Sequence, residues 1–176
     1  MAIEKTLVIV KPDGVRRGLT GVVIATLERA GLELRHLSYT MATPETIEAH
    51  YAPDPVWLET AGGRAVSSLE EAGLDWRAMT GADNAADVGQ LIRSRLVSYM
   101  TTGPVVVMVV EGPQAVRKVR QLTGSTAPLE AAPGSIRGMY CTDDVVASFQ
   151  AERALENVIH ASGSVDEAQA EIALWT

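Results

Sequence analysis

Pro104-Val105-Val106-Val107-Met108-Val109-Val110 is an unbroken, β-branched run with turn residues on both sides, Thr101-Thr102-Gly103 before it and Glu111-Gly112-Pro113 after it. A strand without a polar face belongs at the centre of a sheet. Upstream, Thr6 to Val10 reads as a second strand that stops at Lys11-Pro12-Asp13-Gly14, because proline cannot continue the ladder and Asp-Gly favours a turn. From Thr20, placed as the N-cap, Val23, Leu27 and Ala30 recur at helical period until Gly31. Leu32 to Tyr39 alternates as a half-buried strand. Thr43 and Pro44 then open a helix to about Tyr51, which Pro53 and Pro55 close.

Between Val56 and Met100 the spacing predicts two or three short helices. Beyond the central strand, Gln114 to Leu122 reads as a helix and residues 124–138 as a long loop, a length that is usually functional. Asp144 to Leu155 reads as a helix and Asn157-Val158-Ile159-His160 as strand-like. A last helix, capped by Ser164, runs to Trp175. The order β-α-β-α-insert-β-α-loop-β-α predicts an α/β (α+β) fold, a ferredoxin-like antiparallel sheet of split βαβ units with helices on one face.

The chain has 176 residues, 47% hydrophobic and 21% charged, with 15 Lys and Arg against 22 Asp and Glu and a formal net charge of -7. Disorder is excluded by that apolar content, and one compact domain is expected. The longest aliphatic run, Val105 to Val110, is far short of the ~20 residues of a membrane span. Leu7 to Val10 is too short for a secretory signal, so the cytoplasm is the expected location. Cys141 is the only cysteine, which excludes an internal disulfide framework and reads as a structural thiol. The acidic balance argues against nucleic acid as a partner. An anionic ligand would need local cations.

No G-x-x-x-x-G-K-[ST], no G-x-G-x-x-G after a strand, no C-x-x-C and no H-E-x-x-H occur, which removes the P-loop, Rossmann and built-in zinc readings. Three cations stand where elements meet loops: Lys11, Arg120 and Arg137. At 4 Å from a phosphate charge, each contributes ~4 kcal/mol of gross attraction in an effective dielectric of about 20. His160 ends an aliphatic run and precedes Ala161-Ser162-Gly163-Ser164, so a neutral imidazole there has room to attack phosphorus. His36 and His50 read as ordinary histidines.

Six ordered blocks resemble the nucleoside diphosphate kinase family: Lys11-Pro12-Asp13-Gly14-Val15; His50-Tyr51; Ser98 to Val106; Arg120 with Gly124-Ser125-Thr126-Ala127-Pro128; Pro133 to Gly138; and Asn157 to Ser162. Glu171 and Leu174-Trp175 in the last helix are similar too. The resemblance implies a single domain over 1–176 with a helical insert at about 57–95 and a shorter one at about 141–156. It implies transfer of the γ-phosphate of ATP to nucleoside diphosphates by a ping-pong route through a phosphohistidine on His160. Magnesium would ride on the nucleotide phosphates, with no protein side chain as metal ligand.

Carried over by resemblance, Glu171 orients the His160 ring, with Lys11, Tyr51 and Ser162 also catalytic. Lys11, Arg120, Thr126, Arg137 and Asn157 hold phosphates and ribose, and Trp57 and Leu96 are the candidate base contacts. A homo-oligomer built from dimers, hexamer or tetramer, is implied as well. The segment His160-Ala161-Ser162-Gly163-Ser164 departs from the common His-Gly-Ser-Asp-Ser pattern, losing a carboxylate at Gly163. A nucleotide-binding module without transfer is the competing reading.

Overall fold

The computed structural model describes residues 2–176. Four strands, β1 (Ile3–Val10), β2 (Glu33–Met41), β3 (Pro104–Pro113) and β4 (Ile159–Ala161), form one sheet in the order β2-β3-β1-β4 with every pairing antiparallel. β1 and β2 therefore run parallel with β3 between them, and β3 and β4 run parallel with β1 between them. This is the interleaved split βαβ arrangement.

The helices are α1 (Pro12–Arg16), α2 (Thr20–Arg29), α3 (Pro44–His50), α4 (Pro55–Glu71), α5 (Trp76–Thr80), α6 (Ala85–Met100), α7 (Ala115–Thr123), α8 (Ile136–Tyr140), α9 (Val145–Gln150) and α10 (Val165–Trp175). They cover both faces of the sheet, which corrects the one-sided expectation. Val8, Val10, Val106 and Met108 pack under α2 and α7, while Leu7, Ile9, Val105 and Val107 pack under α3, α6 and α10. The physical reason lies in the central runs: residues 7–10 and 105–110 are buried at every position, so neither face can be left to water.

Several boundaries move. Lys11-Pro12-Asp13-Gly14 turns as a short helix, α1, because Pro12 suits its first position; Gly14 is required there, since a Cβ would lie 2.8 Å from both Val10 Cγ1 and the Val158 carbonyl. Thr20 is the first residue of α2 rather than its cap. Pro55 opens α4, under an Asp54 cap, instead of only closing α3. The predicted helix at 144–155 shortens to α9, capped by Asp144, and the loop at 124–138 contains a 3-10 turn at Pro128–Glu130 and the start of α8. Thr43 and Ser164 cap α3 and α10 as expected.

The helical stretch after α3 builds its own core. Ala65, Leu69, Trp76, Ala82, Val88 and Phe149 cluster apart from the sheet, joining α4, α5, α6 and α9. α4 and α6 touch backbone to backbone: a Cβ on Gly62 would stand 1.7 Å from the Ala85 carbonyl, and one on Gly89 would stand 2.1 Å from the Leu58 carbonyl. No helix among the described residues is long and apolar enough to cross a membrane.

Candidate active site

β4 pairs Ile9 with His160, so the His160 side chain shares the Ile9 face, the one under α3 and α10. Two residues on, Ser162 projects to the same side. Glu171 and Trp175, four apart on α10, form a stripe facing them. That period-2 strand meeting a period-3.6 helix assembles the centre. Glu171 Oε1 lies 2.8 Å from His160 Nε2, the oxygen standing off the direction of a straight N–H bond, and Ser162 Oγ donates to Glu171 Oε2 at 2.6 Å.

The strand enters this site under strain. Val158 has φ 69, a left-handed value that a β-branched residue rarely takes. It is held on both sides: Lys11 N donates to its carbonyl at 2.8 Å, and its own N–H donates to Asp13 Oδ2 at 3.1 Å. Asp13 is itself fully buried and accepts a hydrogen bond from the Tyr99 hydroxyl. The turn after β1 thereby sets the residue two before the histidine.

Lys11, Asn157 and Arg137 make one buried polar group. Lys11 Nζ donates to Asn157 Oδ1 at 2.8 Å, and Asn157 Nδ2 donates to the Thr126 carbonyl at 3.1 Å. Arg137 donates to three backbone carbonyls: Asn157 at 3.2 Å, Gly124 at 3.0 Å and Ile159 at 2.7 Å. Of its five N–H donors, two remain for a ligand. Arg120, at the exposed end of α7, reaches the Ala161 carbonyl at 3.4 Å.

Charge and burial tune these groups. Burial, then the nearby Arg137, pushes Lys11 down to about 7. Burial, then Arg120, pushes Arg137 down to about 10. Burial followed by Lys11, Arg137 and Arg120 holds His160 well below the ordinary imidazole value, so its ring is neutral at physiological pH. Burial raises the Glu171 carboxyl and the Tyr51 phenol.

The structure brings most of the sequence-derived candidates to one cavity of about 1080 Å³, whose wall includes Lys11, Tyr51, Trp57, Leu96, Arg120, Thr126, Arg137, Asn157, His160 and Glu171. Ser162 is fully buried and bonds Glu171 of that wall through its hydroxyl. The Tyr51 ring is 6.5 Å from that of His160 and 6.3 Å from Trp57.

Between Tyr51 and His160 stands a residue the sequence reading passed over. His50, its side chain fully buried, lies edge-on to His160 at 4.4 Å between ring centroids; its Nδ1 is 3.5 Å from Glu171 Oε1 and accepts from Trp175 Nε1 at 3.2 Å. Only its place in the His50-Tyr51 block hinted at this. Burial and His160 push His50 down to about 3, so it too is neutral. His50, His160 and Glu171 present ligand atoms within 4.8 Å of one another, a set a transition metal could use. Lys11, Arg120 and Arg137 beside it oppose added positive charge. At Gly163, where a carboxylate is missing from the chain, the Glu167 carboxylate accepts from the Gly163 N–H at 2.8 Å.

A neutral imidazole backed by a carboxylate and ringed by Lys11, Arg120 and Arg137 is an arrangement that can serve phosphoryl chemistry. Comparison with known proteins agrees. The nucleoside diphosphate kinase family model matches residues 4–55 and 84–176, leaving 56–83, most of α4 with α5, unmatched. The chain is 45% identical over 175 residues to a nucleoside diphosphate kinase of Pyrobaculum aerophilum, covering 99% of this chain and 96% of that one. A crystal structure of an NDP kinase from Pyrobaculum aerophilum superposes with a TM-score of 0.95 at 43% identity, covering 99% and 96% of the two chains. A Borrelia burgdorferi nucleoside-diphosphate kinase, described as a transition state mimic with bound vanadate and ADP, superposes with a TM-score of 0.77 at 30% identity, covering 99% and 87%.

Proposed function

Because the chain belongs to the nucleoside diphosphate kinase family and is a phosphotransferase, we propose that it moves the γ-phosphoryl group of ATP to nucleoside diphosphates in two steps through His160. The observation that carries this reading is the 2.8 Å approach of Glu171 Oε1 to His160 Nε2. With Nε2 turned to the carboxylate, Nδ1 is left with the free lone pair. Nδ1 attacks the γ-phosphorus, the bond from phosphorus to the β–γ bridging oxygen breaks, and ADP departs with that electron pair. A terminal oxygen of an incoming diphosphate then takes the phosphoryl group from Nδ1, which gives ping-pong kinetics.

Each residue has a part in that scheme. Glu171, anchored by Ser162, orients the ring and balances the imidazolium charge that forms. Lys11, Arg120 and the two spare N–H groups of Arg137 face the equatorial oxygens, where charge builds in a loose transition state. Thr126 and Asn157 hold the nucleotide beside them, Tyr51 closes the wall next to His50, and Trp57 and Leu96 flank the base. Magnesium would enter on the nucleotide, held by phosphate oxygens and water, and would offset phosphate charge there. The vanadate and ADP complex of the Borrelia relative supports a nucleotide in the equivalent cavity.

The protein acts as a single cytoplasmic domain, assembled as a homo-oligomer. Exposed apolar residues on the edge strand β2, Leu37, Tyr39 and Met41, support self-association. The test is incubation with γ-labelled ATP and magnesium without acceptor, then a chase with GDP. Acid-labile, base-stable label that moves to GTP and is absent from His160→Ala is the expected result. Nucleotide binding without label would favour the module that binds but does not transfer.

A further inference from the structure

The chain lacks a carboxylate at position 163, and α10 brings one back to the same place. The Gly163 N–H donates to Glu167 Oε2 at 2.8 Å. A Cβ on Gly163 would stand 2.7 Å from that same oxygen, so a side chain at 163 and the Glu167 carboxyl exclude each other there. Glu167 lies one turn before Glu171 on the same side of α10, and both line the cavity beside His160.

The carboxyls of Glu167 and Glu171 come within side-chain hydrogen-bond reach. Two carboxylates repel at that range, whereas one proton between them makes a hydrogen bond. Glu171 already accepts from Ser162 at Oε2 and faces His160 with Oε1, so Glu167 is the partner that holds the proton. Burial, then Glu171, raises the Glu167 carboxyl in the same sense. From the other elements, Arg120 of α7 and Tyr51 at the end of α3 face it.

Ser164 and Glu167 have the spacing of a helix capping box, and Ser164 Oγ does accept from the Glu167 N–H at 3.1 Å. A capping-box glutamate reaches back to the N–H of the cap residue itself. Glu167 reaches one residue further, to Gly163, and so ties α10 to the segment that follows His160. Resting on the function proposed above, we infer that Glu167 is a positioning residue: it holds the Glu171 carboxylate against His160 through a shared proton, in space that Gly163 leaves open.

The test measures, by rapid-quench single turnover, the rate of His160 phosphorylation at saturating ATP and the ATP concentration that gives half of it. Glu167→Ala should lower the rate by about tenfold, the lower end for a hydrogen bond to a charged group, with half-saturation unchanged. Glu167→Gln should keep most of the rate, since its amide N–H donates to Glu171 while its oxygen accepts from Gly163. Gly163→Ala should lower the rate as Glu167→Ala does, by displacing the carboxyl. Added to Glu171→Gln, Glu167→Ala should cost nothing more, because the residue it acts through is already altered.

A helix cap alone would lower Tm without touching the rate. An unchanged rate in Glu167→Ala, an equal loss in Glu167→Gln, or a full further loss on the Glu171→Gln background overturns the inference. Should Glu167→Ala fail to fold, Glu167→Gln and Gly163→Ala decide: a kept rate in the first and a lowered rate in the second support it, and any other pairing overturns it. A wild type that takes no label from γ-labelled ATP fails the underlying function instead, so the two failures are distinct.

Discussion

At Glu171 one carboxylate serves two imidazoles, His160 at 2.8 Å and His50 at 3.5 Å. Glu171→Gln should lower the rate of His160 phosphorylation by ~10²-fold, comparable to removing one preorganised electrostatic partner, while nucleotide affinity holds; rapid-quench labelling measures it. His160 is held neutral by burial and by Lys11, Arg137 and Arg120. Single-turnover phosphorylation should therefore show no loss as pH falls to about 6, where a free imidazole would be mostly protonated. A drop centred at about 6.5 would show an unperturbed ring. Lys11 has the opposite sense of linkage from a paired lysine: its value is about 7 folded against an ordinary 10.5. Between those values the unfolded chain binds more protons, so this group makes stability rise with pH, and its burial penalty is complete below about 7. Lys11→Met should melt higher than wild type at pH 7 and below, and the advantage should fade toward pH 10.5; a Tm series across pH reads it. These residues were legible as chemistry, Lys11 and Arg137 from their loops and His160 from its small neighbours. Nothing in periodicity or spacing distinguished His50 from a core histidine, because its role exists only where α3 crosses α10.

At the scale of elements, strands and caps were the readable parts. The runs at 6–10 and 104–110 carry their own burial, and Thr43 and Ser164 mark helix starts by local hydrogen bonds alone. The short helix α1 was not readable: it holds only five residues, too few for a periodic signal. The α4–α6 crossing was equally silent, since a glycine inside a helix reads as a weakness until a second backbone lies against it. Gly89→Ala should destabilise the fold by at least ~1–3 kcal/mol, as overpacking does, because its Cβ would meet the Leu58 carbonyl at 2.1 Å. Gly63→Ala, with nothing within 4 Å of its Cβ, should stabilise by ~0.5–1 kcal/mol. Denaturant melts of the two variants should move in opposite directions.

For the whole molecule, the two-faced sheet leaves its edges as the place for assembly. β2 is one edge, bulged between Leu34 and His36 and carrying Tyr39 and Met41 well exposed, at 66% and 56%. The protein should elute as a dimer or a higher multiple in light-scattering chromatography, and Tyr39→Glu with Leu37→Glu should shift it toward monomer. A monomeric wild type would remove self-association from the reading. The amino-acid sequence by itself determined the central strands, since their burial is written into continuous β-branched runs, and it marked Lys11, Arg120, Arg137 and His160 as candidates for phosphate chemistry, since those residue types lie at element ends. Only the tertiary structure decided that His50 stands beside His160, and how Asp13 and Lys11 hold Val158 in a left-handed turn. Those are contacts between segments far apart in the chain, and local propensity carries no information about them.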